Sequence, residues 1–425
     1  MKRESGTTEP GASQSDKSLW RNVDFLKLWS AQTISVTGSV LGALQFTAIL
    51  ALDATPVQMS ALTAAGVLPA LLFGFVIGAW VDRLRRRPIL IGTDLIRTAL
   101  LGSIPVVWYF DSLSMEQVYV VAFLHGLLTI FFDVAYRSYL PALVSSRKLV
   151  EANSRLSATA SVAEIGGFSL GGWIAQAFSA IVVTAVDSAT FLVSALFLFW
   201  IRRPEPSPAP SNSTPNFRRE ILEGMWAVIG NPALRAIGVS KVSLGLANGI
   251  ISSLIVLFGI ETLGFGPGML GTIFAIGGIS SVLGALSVGR LTHRFGLGKT
   301  LTAGFLIWGA TTFLIPLAHG PLLLAGAFLA AEQLFDFGVT IYEVNEMSLR
   351  QRITPYRMLG RVNSSMEVIL LGAQLAGAVL GGILAELAGI RWALAVGSCL
   401  MVAGGVWLLL STVWRIDVVP ESDAS

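Results

Sequence analysis

The stretch Gly78-Ala79-Trp80-Val81-Asp82-Arg83-Leu84-Arg85-Arg86-Arg87-Pro88 puts five charges into six positions between two long apolar runs, in a chain only 13% charged. The runs on either side are the rule. Hydrophobic residues make up 53% of the 425 positions and the mean hydropathy is +0.71, beyond what a water-soluble core and surface can share. Runs of about 20 residues, the length that crosses hydrocarbon as a helix, recur twelve times. They cover 29–52, 58–81, 89–110, 117–140, 154–177, 180–201, 236–259, 268–291, 299–318, 321–346, 362–386 and 391–413. An all-α membrane protein with twelve transmembrane helices is expected. Residues 1–19 are polar and lack the apolar stretch of a cleavable signal, so the first span is expected to serve as the insertion signal and the tail to be disordered.

Basic residues near helix ends set orientation by staying on the cytoplasmic side, and here they alternate. Arg83, Arg85, Arg86 and Arg87 lie in loop 2–3, Arg147 and Lys148 in loop 4–5, and Arg202, Arg203, Arg218, Arg219 and Arg235 in loop 6–7. Arg294 and Lys299 follow in loop 8–9, and Arg350, Arg352 and Arg357 in loop 10–11, whereas the opposite loops hold only Arg391. Both termini are therefore expected in the cytoplasm, of a cell whose inner (plasma) membrane holds the chain. Topology accounts for the basic clusters, and no nucleic-acid partner is expected. One cysteine, Cys399, excludes disulfides as an organising device, and His125, His293 and His319 are too scattered to bind a metal.

Between spans 6 and 7, "RRPEPSPAPSNSTPNFRRE" (202–220) has too much proline and serine to bury itself and reads as a flexible linker. After it, Phe217, Ile221, Met225, Val228 and Ile229 share a helical face, suiting a helix laid on the inner membrane surface or docked on a partner. The expected organisation is a tail (1–19), a six-helix bundle (20–201), a linker with an amphipathic helix (202–235), a second bundle (236–414) and a tail (415–425).

The bundles repeat. Residues 147–176 and 357–386 align without gaps at an offset of 210 with ten identities in thirty, including Asn153/Asn363, Ser154/Ser364, Gly171/Gly381 and Gly172/Gly382. Two pseudo-symmetric six-helix bundles related by an axis along the membrane normal are implied. The opening stretch also has an echo, because "GRLTHRFG" (289–296) keeps its Gly-x-x-x-acid-Arg spacing with His293 where Asp82 stands.

Gly78, Asp82, Arg83, Arg86 and Arg87 resemble the signature loop of the major facilitator superfamily of secondary transporters, with Arg85 in place of the usual glycine. "FFDVAYRSYLPALVSSRKLVEANS" (131–154), "SLRQRITPYRMLGRVNSS" (348–365), "LW" (28–29) and "DSATF" (187–191) look like its drug/proton antiporter branch, which contains macrolide effluxers and siderophore exporters. The resemblance implies proton-exchange export of a drug-like or siderophore-like molecule by a rocking of two halves; a lipid flippase and an uptake permease use the same scaffold. Ser39 in "SVTGSV" stands where that branch has an acidic residue.

Physical reasoning assigns roles to individual residues. Gly78 permits close helix approach, and Asp82 can accept from a helix N-terminus and pair with an arginine, latching the halves in one state and releasing them in the other. Gating is expected of Gly78, Asp82, Arg83, Arg86, Arg87 and Arg294, with Asp133, Arg137 and Glu343 as candidates. A charge inside the membrane costs about 2.5–3.5 kcal/mol, so each needs a partner or a task. Asp94 with Arg97, and Asp133 with Arg137, can pair along one helix face, while Asp133 and Glu343 correspond at the repeat offset and are also read as symmetric gate residues. Glu164 and Asp336 have no basic residue within four positions and are expected to carry the exchanged proton; Asp187 reads as hydrated near the outer face. The central cavity is expected to be lined by Gln32, Gln45, His125, Phe132, Asn248, Phe335 and Tyr342. Expected partners are a small-molecule substrate, protons and membrane lipid, for a protein acting as a monomer. No nucleotide-binding Gly-x-x-x-x-Gly-Lys, metal constellation or nucleophile–base pair is present in the sequence, so no cofactor and no enzymatic activity are expected.

Overall fold

A hydrocarbon solvent leaves no backbone group free, so the segments that cross it become helices. The computed structural model describes residues 19–81, 83–145, 148–203, 205 and 217–416, and the described residues contain helices and no strand. The expected disordered tails, the centre of the proline-rich linker, Asp82 and Arg147 lie outside them.

In the first half, span 1 comprises α1 (Val23–Ser39) and α2 (Ala43–Leu52), followed by α3 (Pro56–Val81), α4 (Arg86–Tyr109), α5 (Met115–Leu143), α6 (Leu149–Ala177) and α7 (Ala180–Phe199). A connecting helix, α8 (Phe217–Gly230), precedes α9 (Pro232–Leu257), α10 (Pro267–Phe295), α11 (Leu297–Thr311), α12 (Leu314–Leu317), α13 (Leu322–Phe335), α14 (Phe337–Ile353), α15 (Leu359–Ala388) and α16 (Ile390–Leu410). Caps fix several starts: the side chain of Asn22 accepts from the Phe25 N–H, that of Ser179 from Val182, and that of Asn231 from Ala233 and Leu234 ahead of Pro232.

Among the described residues, eleven spans are both long and apolar enough to cross a bilayer. The remaining one, α6, has the length but is rich in serine and glycine; it packs between α1 and α10. Three spans expected as single runs are broken, span 9 among them at Thr312 and Phe313 between α11 and α12. Span 1 is interrupted at Val40–Gly42, where Gly42 adopts φ 72°, a left-handed conformation that favours glycine. Span 10 is interrupted at Asp336, which ends α13 and begins α14.

The packing repeats as the sequence does. Helix α4 lies on α7 as α11 lies on α16, α1 contacts α7 and α6 as α9 contacts α16 and α15, and the halves meet through α6–α10 and α3–α15, which exchange under the repeat. Among the described residues the glycine contacts of these crossings run from Gly172 on Pro267 and Gly382 on Ser60 to Gly278 on Ile165 at mid-helix, in the part of the bundle away from the arginine-rich loops, called here the far end; the other is the basic end. One far-end apolar cluster draws on both halves, with Leu41, Met59, Ile250, Leu254 and Ile273 among its members. At the basic end the cores are separate, one around Phe25, Ile77 and Tyr139 and the other around Leu244, Phe305 and Tyr342. The molecule is shut at the far end and splayed at the basic end.

Glycines let the far-end seam form, because a side chain on Gly172 would run into the Pro267 carbonyl and one on Gly271 would come within 2.8 Å of the Phe168 carbonyl. Across the seam, Trp173 Nε1 donates to Thr272 Oγ1 at 3.0 Å and Gly268 N to Gln176 Oε1 at 2.9 Å. Between α3 and α9, which also meet across the halves, Ser60 Oγ donates to Ser253 Oγ at 3.3 Å.

Helix α8 does not lie free on a surface. Ser365 Oγ donates to the Ile221 carbonyl at 3.1 Å, Arg361 pairs with Glu223 at 2.5 Å, and Val228 is buried in the second half's core. The expected apolar face is thus partly taken up by α15 and α9, and the residues left outward at helical spacing are Leu222, Trp226 and Ile229.

Candidate functional site: the cavity between the halves

Just inside the far-end seam lies a cavity of about 520 Å³, within the range of small-molecule sites. The break in span 1 brings Ser39, Gly42 and Gln45 to its wall; α5 adds His125, α7 Asp187, α6 Phe168 and α10 Phe274. Phe168 bridges the halves, with its ring centroid 5.3 Å from Phe46, tilted, and 5.1 Å from Phe274 in the edge-to-face geometry aromatic pairs favour.

Behind this wall the first half holds a buried polar core. Asp94 and Arg97, 0% and 2% exposed, pair at 3.3 Å as their spacing leads one to expect, and Ser194 Oγ donates to the other Asp94 oxygen at 2.6 Å. The Arg97 guanidinium lies over the rings of Phe132 and Phe191, 4.9 and 5.1 Å from their centroids. His125 sits edge-to-face on Phe191 at 5.5 Å, and its Nε2 is buried without a hydrogen-bond partner among the described residues.

Asp187 overturns the sequence reading. It is 4% exposed rather than hydrated and lines the cavity, where Thr190 hydrogen-bonds its side chain and Arg97 acts on it. The Thr190 hydroxyl also lies 2.7 Å from the Asp187 carbonyl. The reason is helical phase: Asp187 faces α1, where a side chain on Gly38 would come within 2.6 Å of Oδ1.

Of the expected wall residues, Gln45 and His125 line the cavity. Gln32 is half-buried on α1, and its Oε1 has no partner among the described residues. Phe132 and Tyr342 are core residues instead. Phe132 is 2% exposed beneath Arg97, and Tyr342 is 0% exposed, 4.7 Å edge-to-face from Phe305, with its hydroxyl 3.2 Å from Ser240 Oγ. Asn248 and Phe335 are exposed and outside this wall.

The expected gating residues are dispersed. Arg86 and Arg87 are engaged within their own half: their N–H groups donate to Glu205 at 2.7 and 3.2 Å, and the Arg87 side chain donates to the Leu198 and Phe199 carbonyls. Gly78 is half-buried on α3, and Arg83 and Arg294 are exposed. Asp133 and Arg137 are both exposed on α5, and the expected self-neutralising pair is not among the described ion pairs; opening of the basic end leaves both in reach of water. Glu343 is exposed at the equivalent place on α14. Glu164 is on α6, its side chain outside the described set, while Asp336 sits at the break in span 10, one turn from Glu332. Glu332, 5% exposed, accepts from Gln333 at 2.8 Å. Spans 7 and 10 are tied by Glu346, which faces Lys241 and Arg350, each at 3.5 Å.

Two paired bundles around a cavity are the architecture of a transporter. The family model of the Major Facilitator Superfamily matches residues 28–370 and 237–424, and the chain belongs to that family, whose members are transporters of small molecules and not enzymes. It is 24% identical over 409 residues to macrolide efflux protein A of Streptococcus pyogenes, covering 94% of this chain and 98% of that one. It is 29% identical over 384 residues to the multidrug efflux pump Tap of Mycolicibacterium fortuitum, covering 87% and 90%. Among solved structures, the nucleoside transporter NupG superposes with a TM-score of 0.71 at 14% identity, over 92% of this chain and 98% of that one.

Proposed function

We propose that this chain is a secondary active exporter that moves a drug-like small molecule out of the cytoplasm in exchange for protons, by alternating access of two six-helix halves. The observation that carries the reading is the far-end seam joined to a splayed basic end around one cavity, a geometry that exposes the cavity to one side at a time. Export is supported by efflux proteins matched over most of both chains. The basic loops orient the splayed end and both termini to the cytoplasm, in the inner membrane. In the opposite state the loop around Asp82, with Arg83, Arg294 and the symmetric Asp133 and Glu343, closes the basic end, while Glu164 and Asp336 carry protons. The protein acts as a monomer, since each half finds its partner within the chain.

Purified protein in liposomes tests this with labelled erythromycin and a panel of drug-like solutes, with and without an imposed pH gradient. Accumulation against the solute gradient that requires the pH gradient and collapses with a protonophore is the expected result. Accumulation indifferent to the pH gradient overturns proton exchange. Wild-type coupling retained in both Glu164→Gln and Asp336→Asn overturns those two sites.

A further inference from the structure

We propose that the groove between the start of α4 and the end of α7 binds an anionic phospholipid of the leaflet at the basic end, with Arg85 and Arg202 clasping its phosphodiester. The site lies outside the central cavity and does not depend on the exporter reading.

The groove has a volume of about 620 Å³ and belongs to the first half alone, where α4 and α7 pack on each other and on α1, α2, α5 and α6. Four arginines line it, Arg85, Arg87, Arg202 and Arg203, against one carboxylate, Glu205. Most of these groups are committed. Glu205 accepts from the Arg86 and Arg87 N–H groups and lies 3.6 Å from the Arg86 guanidinium. Arg87 donates to the Leu198 and Phe199 carbonyls, and Arg203 to the Leu143 carbonyl at 2.8 Å. In the adjoining groove, which shares Arg87 and Arg202, Asp24 is taken by Lys27 at 3.0 Å.

Arg85 and Arg202 remain. Both are exposed, and among the described residues neither guanidinium makes a hydrogen bond or an ion pair. Two guanidinium forks on one groove match the oxygens of a phosphodiester, which each can bind through paired N–H groups. Arg85 is also where the signature loop departs from its usual glycine, so this half of the clasp is particular to the chain.

Below the arginines the groove is apolar and runs on into lipid-facing surface. On α4, Pro88, Ile91 and Gly92 pass at helical spacing into the exposed Leu95 and Ile96, and on α7 Phe199 follows the exposed Leu192 and Leu196. Nothing lies within 4 Å of the Cβ direction of Gly92, which keeps the floor open. Trp200, exposed beside the groove, marks the depth at which headgroups lie. The ligand that fits is negative at the basic end and alkyl along α4 and α7. A choline or ethanolamine head would bring its own cation against the arginines, so a lipid with uncompensated charge, of the phosphatidylglycerol class, is favoured.

Native mass spectrometry of the full chain, delipidated in detergent, tests this with phosphatidylglycerol, phosphatidylcholine of the same acyl chains, and glycerophosphoglycerol as a headgroup without tails. Wild type is expected to prefer phosphatidylglycerol by about 25-fold, about fivefold for each arginine, and the headgroup alone should not compete. Arg85→Gly and Arg202→Gln should each lose about fivefold of that preference, and the double variant nearly all of it. Arg357→Gln, exposed at the basic end of the second half, removes a charge elsewhere and should change nothing. In the wild type, phosphatidylglycerol with a diazirine near the glycerol end of one acyl chain should crosslink within 88–96 or 192–200, located by peptide mass spectrometry; this decides the matter even where a variant does not fold. Equal binding of the two lipids, a preference within twofold of wild type in the folded double variant, the same loss in Arg357→Gln, or crosslinks spread evenly over the other lipid-facing helices each overturns the proposal. Competition by glycerophosphoglycerol at the concentration of the lipid overturns it in favour of a soluble phosphate.

Discussion

Gly172→Val attacks the far-end seam at one atom. The glycine on α6 abuts the Pro267 carbonyl on α10, and any Cβ there collides with backbone that cannot rotate away. Overpacking of a tight contact costs about 1–3 kcal/mol. The cost falls only on the state in which the far end is shut, because the contact exists only there. Each 1.4 kcal/mol is tenfold in an equilibrium, so the balance between shut and open far ends should move by roughly 5- to 140-fold. A far end shut 99 times in 100 would, at about 2 kcal/mol, be shut only about three times in four. The assay is the labelling rate of a cysteine at Ser39, in a Cys399→Ser background, by a membrane-impermeant maleimide applied from the far-end side. Labelling there needs an open far end, so its rate should rise by the same factor until it saturates. Gly360→Val, at a glycine with nothing within 4 Å of its Cβ direction, is the control and should leave the rate unchanged. An unchanged rate in a Gly172→Val protein of wild-type Tm would refute the reasoning.

Other outcomes follow from the buried polar pairs. Glu346→Ala strands Lys241 and Arg350, both mostly buried, and should lower stability by about 3–5 kcal/mol, whereas Lys241→Ala leaves Glu346 its Arg350 contact and should cost less; thermal unfolding in detergent compares them. Ser194→Ala removes a hydrogen bond to the buried Asp94 carboxylate and should cost about 1.5–3 kcal/mol by the same measurement. Tyr342→Phe loses only the Ser240 contact, about 1 kcal/mol, and should leave solute affinity unchanged, since the ring is core and not cavity wall. Glu223→Ala breaks a half-exposed pair with Arg361 and should shift stability by no more than about 1 kcal/mol.

What could be read from the sequence was set by length and repetition. Hydrocarbon thickness fixes span length, so the spans were countable, and Gly171-Gly172 against Gly381-Gly382 in register revealed the two bundles whose contacts exchange in the structure. The Asp94–Arg97 pair was legible because it closes on one helix. Facing direction was not legible. In a span apolar on every side, no periodic polar stripe tells which face turns inward, so Asp187 read as hydrated and Phe132 and Tyr342 read as cavity wall. The break at Asp336 has no glycine or proline at its centre to announce it, although Gly42 was a signal for the break in span 1.

The central claim is that the two ends of one rigid pair of bundles open alternately. Spin-label distances test it most directly, with one pair at Ser112 and Leu323 on the far end and another at Val150 and Tyr356 on the basic end, the last three exposed. Across pH and added solute, the account requires the far-end pair to lengthen in the same fraction of molecules in which the basic-end pair shortens. Two distances that vary independently, or that stay fixed while transport proceeds, would contradict it.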